Sequence, residues 1–126
     1  MREIKFRAWD NFFKQMYYFD FENNIEVRSG HLWIVHEEGA ISSKSPSIKI
    51  MQYTGLKDRN DKEIYVGDLV AVADYANWEG LYKIIWDEKN LMYMLEDAFG
   101  DREKLCEFEE YLVKGNIYEN PELLEE

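Results

Sequence analysis

The sequence predicts a mostly β protein with a small SH3-like barrel in its C-terminal half, an N-terminal antiparallel β layer and one short helix. Strand-length segments of alternating apolar and polar residues recur about every ten residues along the chain. Glycines stand at the ends of several of these segments, where the chain must turn. Aromatic residues make up 16% of the sequence, and such rings fill the thin core of a small β domain.

In the N-terminal half, alternation over residues 4–9 predicts the first strand. An Asp-Asn pair at residues 10–11 begins a turn, and residues 16–21 are expected to pair back as a hairpin. Residues 32–36 form another strand-length apolar run. Residues 37–47 combine glycine, serines and proline, so we expect a mobile loop there.

The second half has a more regular pattern. Residues 48–54 alternate, and a polar turn at residues 57–62 leads to a short strand at residues 63–65. Gly67 frees the backbone to bend, and Asp68 is expected to hydrogen-bond the turn that it follows. This corner therefore leads into the barrel.

The rest of the barrel follows from apolar periodicity. Strands are predicted at residues 69–73, 81–86, 91–95 and 113–118. Leu105, Phe108 and Leu112 stand at helical spacing, which predicts a short helix over residues 102–112. Residues 121–124 are expected to form a final helical turn, because proline occupies its first position.

We expect one domain over residues 1–126, made of three parts. These are an N-terminal β subdomain at residues 1–56, the barrel at residues 57–118 and an acidic tail at residues 119–126. The net charge is −11, and residues 96–126 hold eleven acidic and three basic residues, a net charge of −8. Non-specific nucleic-acid binding depends on basic residues that neutralise phosphates, so this balance disfavours it.

Motifs for catalysis are absent from the sequence. His31 and His36 are five residues apart, so on one strand they point to opposite faces and do not form a metal site. There is no phosphate-binding glycine loop and no nucleophile elbow. We therefore expect no cofactor and no enzymatic activity. Asp10, Asp68 and Asp87 would be the carboxylates of the alternative, a divalent-metal hydrolase.

The location in the cell is predicted from three features that the sequence lacks. Cys106 is the single cysteine, so it cannot form an internal disulfide. The first residues lack a signal-like pattern, and no apolar run approaches the ~18 residues of a membrane span. We expect a cytoplasmic protein without membrane contact.

Aromatic residues in predicted loops and at a strand end indicate a binding surface. Trp78 lies between Asn77 and Glu79, in what we predict to be a loop. SH3-like barrels bind ligands with rings on such loops. We therefore predict partner binding by Trp78, Asn77, Tyr75 and Tyr53. The alternative is that the Trp78 ring folds over the end of the barrel as a lid.

Three segments carry a family resemblance: REIKFRAWD with MYYFD, IMQYTGLKDRNDKEIYVGDLV, and GNIYENPELLEE. They resemble the YopX-like family encoded by bacteriophages and prophages. The resemblance implies a β-rich fold and the cytoplasm of a bacterial host cell, and it supplies no catalytic residues. The family commonly has Asn-Gly where this chain has Asn60 and Asp61, so we expect a turn longer than a two-residue I′ turn.

We predict a phage or prophage accessory protein that acts as a non-enzymatic binding module and contacts a host or phage protein. The alternative is a nucleic-acid-binding SH3-like module of the KOW type, with Arg7, Arg59 and Lys83 on one surface. The second alternative is the metal hydrolase described above. Homo-oligomers are also expected, because small β domains leave strand edges that can pair.

Overall fold

The computed structural model describes residues 4–20, 25–28, 31–36, 39–42, 45–74, 77–105 and 110–124. The chain divides into two compact units, Met1–Tyr53 and Thr54–Glu126. The mostly β fold predicted from the sequence is confirmed. The strands are β1 (Lys5–Asp10), β2 (Gln15–Asp20), β3 (Ile25–Arg28), β4 (His31–His36), β5 (Gly39–Ser42), β6 (Ile48–Lys57), β7 (Glu63–Tyr65), β8 (Asp68–Asp74), β9 (Asn77–Asp87), β10 (Met92–Glu96), β11 (Arg102–Lys104) and β12 (Glu110–Asn116). A 3-10 helix at Pro121–Leu124 follows β12.

The first unit contains the predicted N-terminal antiparallel layer. Strand β1 lies between β2 and β6 and is antiparallel to both. Strands β3, β4 and β5 form a second, three-stranded antiparallel sheet. Ala8 of β1, Ile34 of β4 and Ile48 of β6 form the buried cluster of this unit, against which Tyr17 and Phe19 pack. The alternation at the start of the sequence therefore places one face of β1 in a core.

Residues 39–42 are strand β5, so the expectation of a loop over residues 37–47 is wrong for this part. Backbone pairing places Ile34 opposite Ile41 and Val35 opposite Ala40. The glycine and serine content lowers intrinsic strand preference, but the neighbouring strand β4 supplies the hydrogen bonds that outweigh it. Residues 37–38 and 43–44 lie outside the described part of the chain.

The second unit is built on an antiparallel sheet with the strand order β11-β10-β9-β8-β12. The consecutive strands β8 to β11 form a meander, and β12 then pairs with β8. A five-stranded SH3-like barrel has this strand order. Six side chains form its buried cluster: Ile64, Val70, Val72, Ile84, Leu95 and Tyr111. The apolar runs that predicted β8, β9 and β10 therefore supply the core of this unit.

The predicted helix over residues 102–112 is wrong for the described residues of that segment. Residues 102–104 are strand β11, in which Glu103 pairs with Leu95, and residues 110–116 are strand β12. Residues 106–109 lie outside the described part. Apolar residues at helical spacing can also occur in a segment that contains two strands. The backbone pairing of β11 with β10 shows that residues 102–104 form a strand rather than a helix. The final helical turn is confirmed at Pro121–Leu124.

Four hairpins begin with an aspartate whose carboxylate holds the turn. The Oδ1 atoms of Asp10 and Asp87 accept hydrogen bonds from the backbone amides two and three residues later. The Oδ1 atoms of Asp58 and Asp97 accept from the amides two and four residues later. Aspartate favours turns because its side chain replaces a backbone acceptor in this way.

The corner at Gly67 and Asp68 is formed as predicted. Gly67 has a φ of +91°, in the region that favours glycine. The buried Asp68 Oδ2 atom accepts a 2.8 Å hydrogen bond from the amide of Tyr65. The Gly67 amide donates to the carbonyl of Ile84, and the Gly67 carbonyl accepts from Ile117. The VGDLV motif therefore joins three segments of the second unit.

Candidate partner-binding cleft

The four residues predicted to bind a partner are placed differently by the structure. Tyr53 lies on β6 with 4% of its surface exposed, and the Lys5 Nζ atom is 5.8 Å from its ring centroid. Its ring is therefore buried rather than presented to a partner. Asn77 and Trp78 lie on β9, opposite Asp74 and Ala73 of β8. Tyr75 lies outside the described residues, as do the side chains of Asn77 and Trp78.

The expectation that Trp78 lies in a loop is wrong, because the β9 strand begins before it. Two features let β9 continue through Gly80, where the sequence suggests a break. Gly80 adopts a φ of +64°, and the ladder to β8 shifts register between Val70 and Val72. A bulge of this kind re-aims a strand without ending it.

A cleft of about 750 Å³ opens beside this part of β9, starting two residues after Trp78. Its volume lies within the ~300–1,000 Å³ range of clefts that hold small ligands. Three segments of the second unit form its walls: β9, the turn between β10 and β11, and the 3-10 helix. The lining residues are Gly80, Leu81, Tyr82, Lys83, Glu96, Asp97, Ala98, Phe99, Gly100, Leu123 and Leu124.

Two charged residues that line the cleft, Lys83 and Glu96, take part in a set of ion pairs. Lys83 and Glu96 are cross-strand neighbours, with 3.4 Å between Nζ and Oε1. Glu96 Oε2 also accepts from Arg102 Nε at 3.2 Å, and Arg102 Nη1 donates to Asp87 Oδ2 at 3.1 Å. The Asn90 amide lowers the pKa of Asp87, and burial opposes this effect while Arg102 reinforces it. These ion pairs link β9, β10 and β11 beside the cleft.

The turn between β10 and β11 presents Phe99 to solvent. Asp97 Oδ1 accepts from the amides of Phe99 at 2.9 Å and Asp101 at 3.0 Å, and Gly100 has a φ of +85°. This is a three-residue hairpin loop, in which a turn over Ala98 and Phe99 is followed by Gly100 in the left-handed region. Phe99 is 91% exposed, so the turn holds an apolar ring at the rim of the cleft.

The GNIYENP motif places the other apolar side chains of the cleft. Asn116 Oδ1 accepts from the amides of Tyr118 and Glu119, and the Asn116 amide donates to Asn120 Oδ1. A Cβ atom on Gly115 would overlap the Asn120 side chain, so glycine is needed there. The motif therefore fixes the start of the 3-10 helix, which carries the exposed Leu123 and Leu124.

Sequence reasoning missed Phe99, Leu123 and Leu124 as surface residues. A phenylalanine inside a turn of the form Asp-Ala-Phe-Gly is the signal that could have found the first of them, because such turns are usually polar. Trp86 lies within a strand but is also substantially exposed, and it packs edge-to-face on Tyr93. Exposed rings therefore occur on strands and turns alike.

The three carboxylates considered for a metal site each hold local structure. Asp10 accepts from two turn amides, Asp68 from Tyr65, and Asp87 from two amides and Arg102. In the described part of the chain, no three or more His, Cys, Asp or Glu side chains are grouped so that they could hold a metal ion. Within those same residues, no helix has the length and apolar character needed to cross a membrane.

Comparisons with known proteins agree with this architecture. The sequence matches the family described as YopX protein over residues 5–125. The crystal structure of protein EF1440 from Enterococcus faecalis is 30% identical, with a TM-score of 0.63, and the match covers 99% of this chain and 100% of that one. None of the curated proteins matches the chain.

A second crystal structure, of protein yopX from Bacillus subtilis, is 22% identical, again with a TM-score of 0.63. This match covers 100% of the chain and 98% of that protein. At this identity the likeness shows the fold alone. The family match, by contrast, spans almost every residue described here. The chain therefore belongs to the YopX family.

Proposed function

We propose that this YopX-family chain is a non-enzymatic binding module, encoded by a phage or prophage, that contacts a host or phage protein through the cleft. The observation that carries this proposal is the exposure of Phe99, Leu123 and Leu124 around one concave surface. Exposed apolar side chains that rim a cleft are typical of interaction sites.

The net charge of the second unit favours a positively charged partner. The unit that contains the cleft, residues 54–126, holds nineteen acidic and eight basic residues, which equals the whole net charge of −11. Asp97 in the lining adds a negative charge beyond the Lys83–Glu96 pair. A segment with apolar side chains and positive charge would complement this surface, and opposite charge would speed its encounter.

The alternatives receive less support. For nucleic-acid binding, Arg7 is 2% exposed, so its side chain is not available to phosphates, and Lys83 would have to leave its ion pair with Glu96. For hydrolysis, the carboxylates of Asp10, Asp68 and Asp87 are engaged in turns. We therefore retain protein binding as the proposed activity.

Site-specific photo-crosslinking in bacterial cells that express the protein tests this proposal. A benzoylphenylalanine probe replaces Phe99, and the matched control carries the probe at Leu91, an exposed apolar residue on the neighbouring β9–β10 turn. We expect an adduct with another protein from position 99 that survives nuclease treatment, and no such adduct from position 91. Equal labelling from both positions, or none from position 99, would refute the proposal.

A variant supplies the second arm of this test. Phe99→Ser combined with Leu124→Ser removes apolar surface from exposed positions, so the free energy of unfolding should change by less than about 0.5 kcal/mol. Recovery of the crosslinked partner by the tagged variant should nevertheless fall at least about tenfold relative to wild type. Unchanged recovery would place the partner elsewhere on the molecule.

A further inference from the structure

The tip of the β1–β2 hairpin carries two adjacent exposed phenylalanines. Phe12 is 77% exposed and Phe13 is 67% exposed, and their ring centroids are 4.8 Å apart in an edge-to-face arrangement. We define Phe12 and Phe13 as the aromatic tip. Two large apolar rings side by side in solvent are costly unless they contact something.

The backbone under the aromatic tip is held in one shape. Asp10 Oδ1 accepts from the amides of Phe12 at 2.9 Å and Phe13 at 3.2 Å. Lys14 Nζ donates to Asn11 Oδ1 at 2.8 Å across the same turn. A protrusion that is ordered before it binds loses less conformational entropy on binding than a flexible one.

The two units differ in net charge. Residues 1–53 hold seven basic and seven acidic residues, so this unit is neutral, whereas the unit with the cleft carries −11. Lys14 is the only charged residue between the two strands of the hairpin. The cleft lining has one positive and two negative side chains. The tip thus presents a positive charge where the cleft presents a net negative one.

The aromatic tip and the cleft are also compatible in size. Two phenylalanine side chains would bury on the order of 300–500 Å² of surface. A cleft of about 750 Å³ has room for both rings. A chain that carries an apolar protrusion and a matching concavity elsewhere on its surface can associate head to tail.

We propose that the aromatic tip of one copy of this chain inserts into the cleft of a second copy, between Phe99 and the leucines of the 3-10 helix. This inference rests on the cleft of the proposed function and names a second copy of the chain as one of its occupants. A symmetric contact between two clefts would bring two units of charge −11 together, whereas the tip-to-cleft contact pairs the neutral unit with the acidic one.

The small area of this contact predicts a weak association between the two copies. Stable interfaces bury roughly 1,200–2,000 Å² in total, and insertion of two rings falls below that range. We expect half-association at a protein concentration on the order of 100 µM. Self-association would then close the cleft to other partners only where the protein is locally concentrated.

Sedimentation velocity from roughly 10 µM to 1 mM tests the proposal with the full chain. Four proteins are compared: wild type, the tip variant Phe12→Ser with Phe13→Ser, the cleft variant Phe99→Ser with Leu124→Ser, and the control Leu91→Asn. All these positions are exposed, so each variant should fold. We expect the weight-average mass of wild type and control to rise with concentration, and each of the other variants to stay monomeric.

A mixture of the two variants provides the decisive arm. The tip variant keeps an intact cleft and the cleft variant keeps an intact tip, so one contact per pair remains and the mixture should stop at heterodimers. Monomeric wild type at 1 mM, or assembly of either variant alone, would overturn the inference. The proposed function fails on a different result, the lack of a nuclease-resistant adduct with another protein at position 99.

Discussion

Two turns of the second unit share their hydrogen bonds but differ in their surroundings. In residues 58–62 and in residues 97–101, the first aspartate accepts the same two amides through Oδ1, and the same two backbone hydrogen bonds close the turn. The turn at residues 58–62, here the anchored turn, also contacts β12. Asp58 Oδ2 accepts from the amide of Val113, and the Arg59 amide donates to the carbonyl of Tyr111. Residues 97–101, here the outer turn, border the cleft.

The difference lies in the residue that adopts positive φ. The outer turn uses Gly100, at +85°, whereas the anchored turn uses Asp61, at +65°. A side chain at positive φ costs about 1 kcal/mol or more, though aspartate tolerates it better than most residues. The contacts with β12 hold the anchored turn in place despite this cost. Tertiary hydrogen bonds can thus make a turn independent of its preferred sequence.

The largest expected effect comes from removal of the anchoring carboxylate. Asp58→Ala leaves three backbone amides without their acceptor, those of Asn60, Lys62 and Val113, and we expect a loss of about 3 kcal/mol in the free energy of unfolding. Asp97→Ala removes two hydrogen bonds that are exposed to solvent, and it should lower the free energy of unfolding by about 1 kcal/mol. Urea denaturation measures both. Equal losses would show that the contacts with β12 contribute nothing.

Acid should act on the anchored turn through the same carboxylate. Burial tends to raise the pKa of Asp58, but hydrogen bonds from Val113, Lys62 and Asn60 outweigh it and lower the pKa below its usual 3.8. Because the folded state has the lower pKa, this stabilisation is complete above about pH 5 and is lost as the pH falls through the folded pKa.

Thermal unfolding between pH 6 and about pH 2 checks this expectation. Asp58→Asn keeps an acceptor for the two turn amides but cannot accept at Oδ2, so it should be less stable at neutral pH and lose less stability in acid. Parallel acid profiles for wild type and Asp58→Asn would contradict the role given to Asp58.

The outer turn should depend on its glycine. Gly100→Ala places a Cβ atom in open space, with no heavy atom within 4 Å, so only backbone strain at φ +85° opposes it. We expect a loss of about 1 kcal/mol in urea denaturation. A change below the measurement error would mean that the outer turn adopts another shape at little cost.

The smallest expected effect, and the only gain, is at the matching position of the anchored turn. Asp61→Gly removes the strain at φ +65° but adds chain entropy to the unfolded state, so we expect a net gain of about 0.5 kcal/mol. The exposed ion pair with Lys57, at 3.7 Å, contributes little that would be lost. A loss of stability in urea denaturation would show that the Asp61 side chain itself stabilises the turn.

Local patterns predicted much of the fold. Alternation placed β1, β2, β8 and β10 within a few residues, and the Gly67–Asp68 corner and the final helical turn follow from the conformational preferences of glycine, aspartate and proline. Strand β5 was missed because its backbone pairing with β4, rather than its own composition, makes it a strand.

The cleft could not be predicted from local sequence patterns, because its lining residues are distant in sequence. Its lining comes from residues 80–83, 96–100 and 123–124, and only the sheet order and the GNIYENP motif bring these segments together. Trp78 lies two residues before Gly80, where the cleft begins, but the expectation that it lies in a loop was wrong. A tryptophan two positions before a glycine predicted a loop where a bulged strand exists.

The contact between the anchored turn and β12 also bears on aggregation. An open sheet edge offers a template on which another chain can polymerise. Here the Tyr111 carbonyl and the Val113 amide on the edge strand β12 are already engaged by the turn at residues 58–62. At the opposite edge of this sheet, β11 spans only three residues and carries Arg102 and Lys104. The short, charged strand at one edge of this sheet and the engaged strand at the other therefore oppose edge-to-edge pairing with another chain.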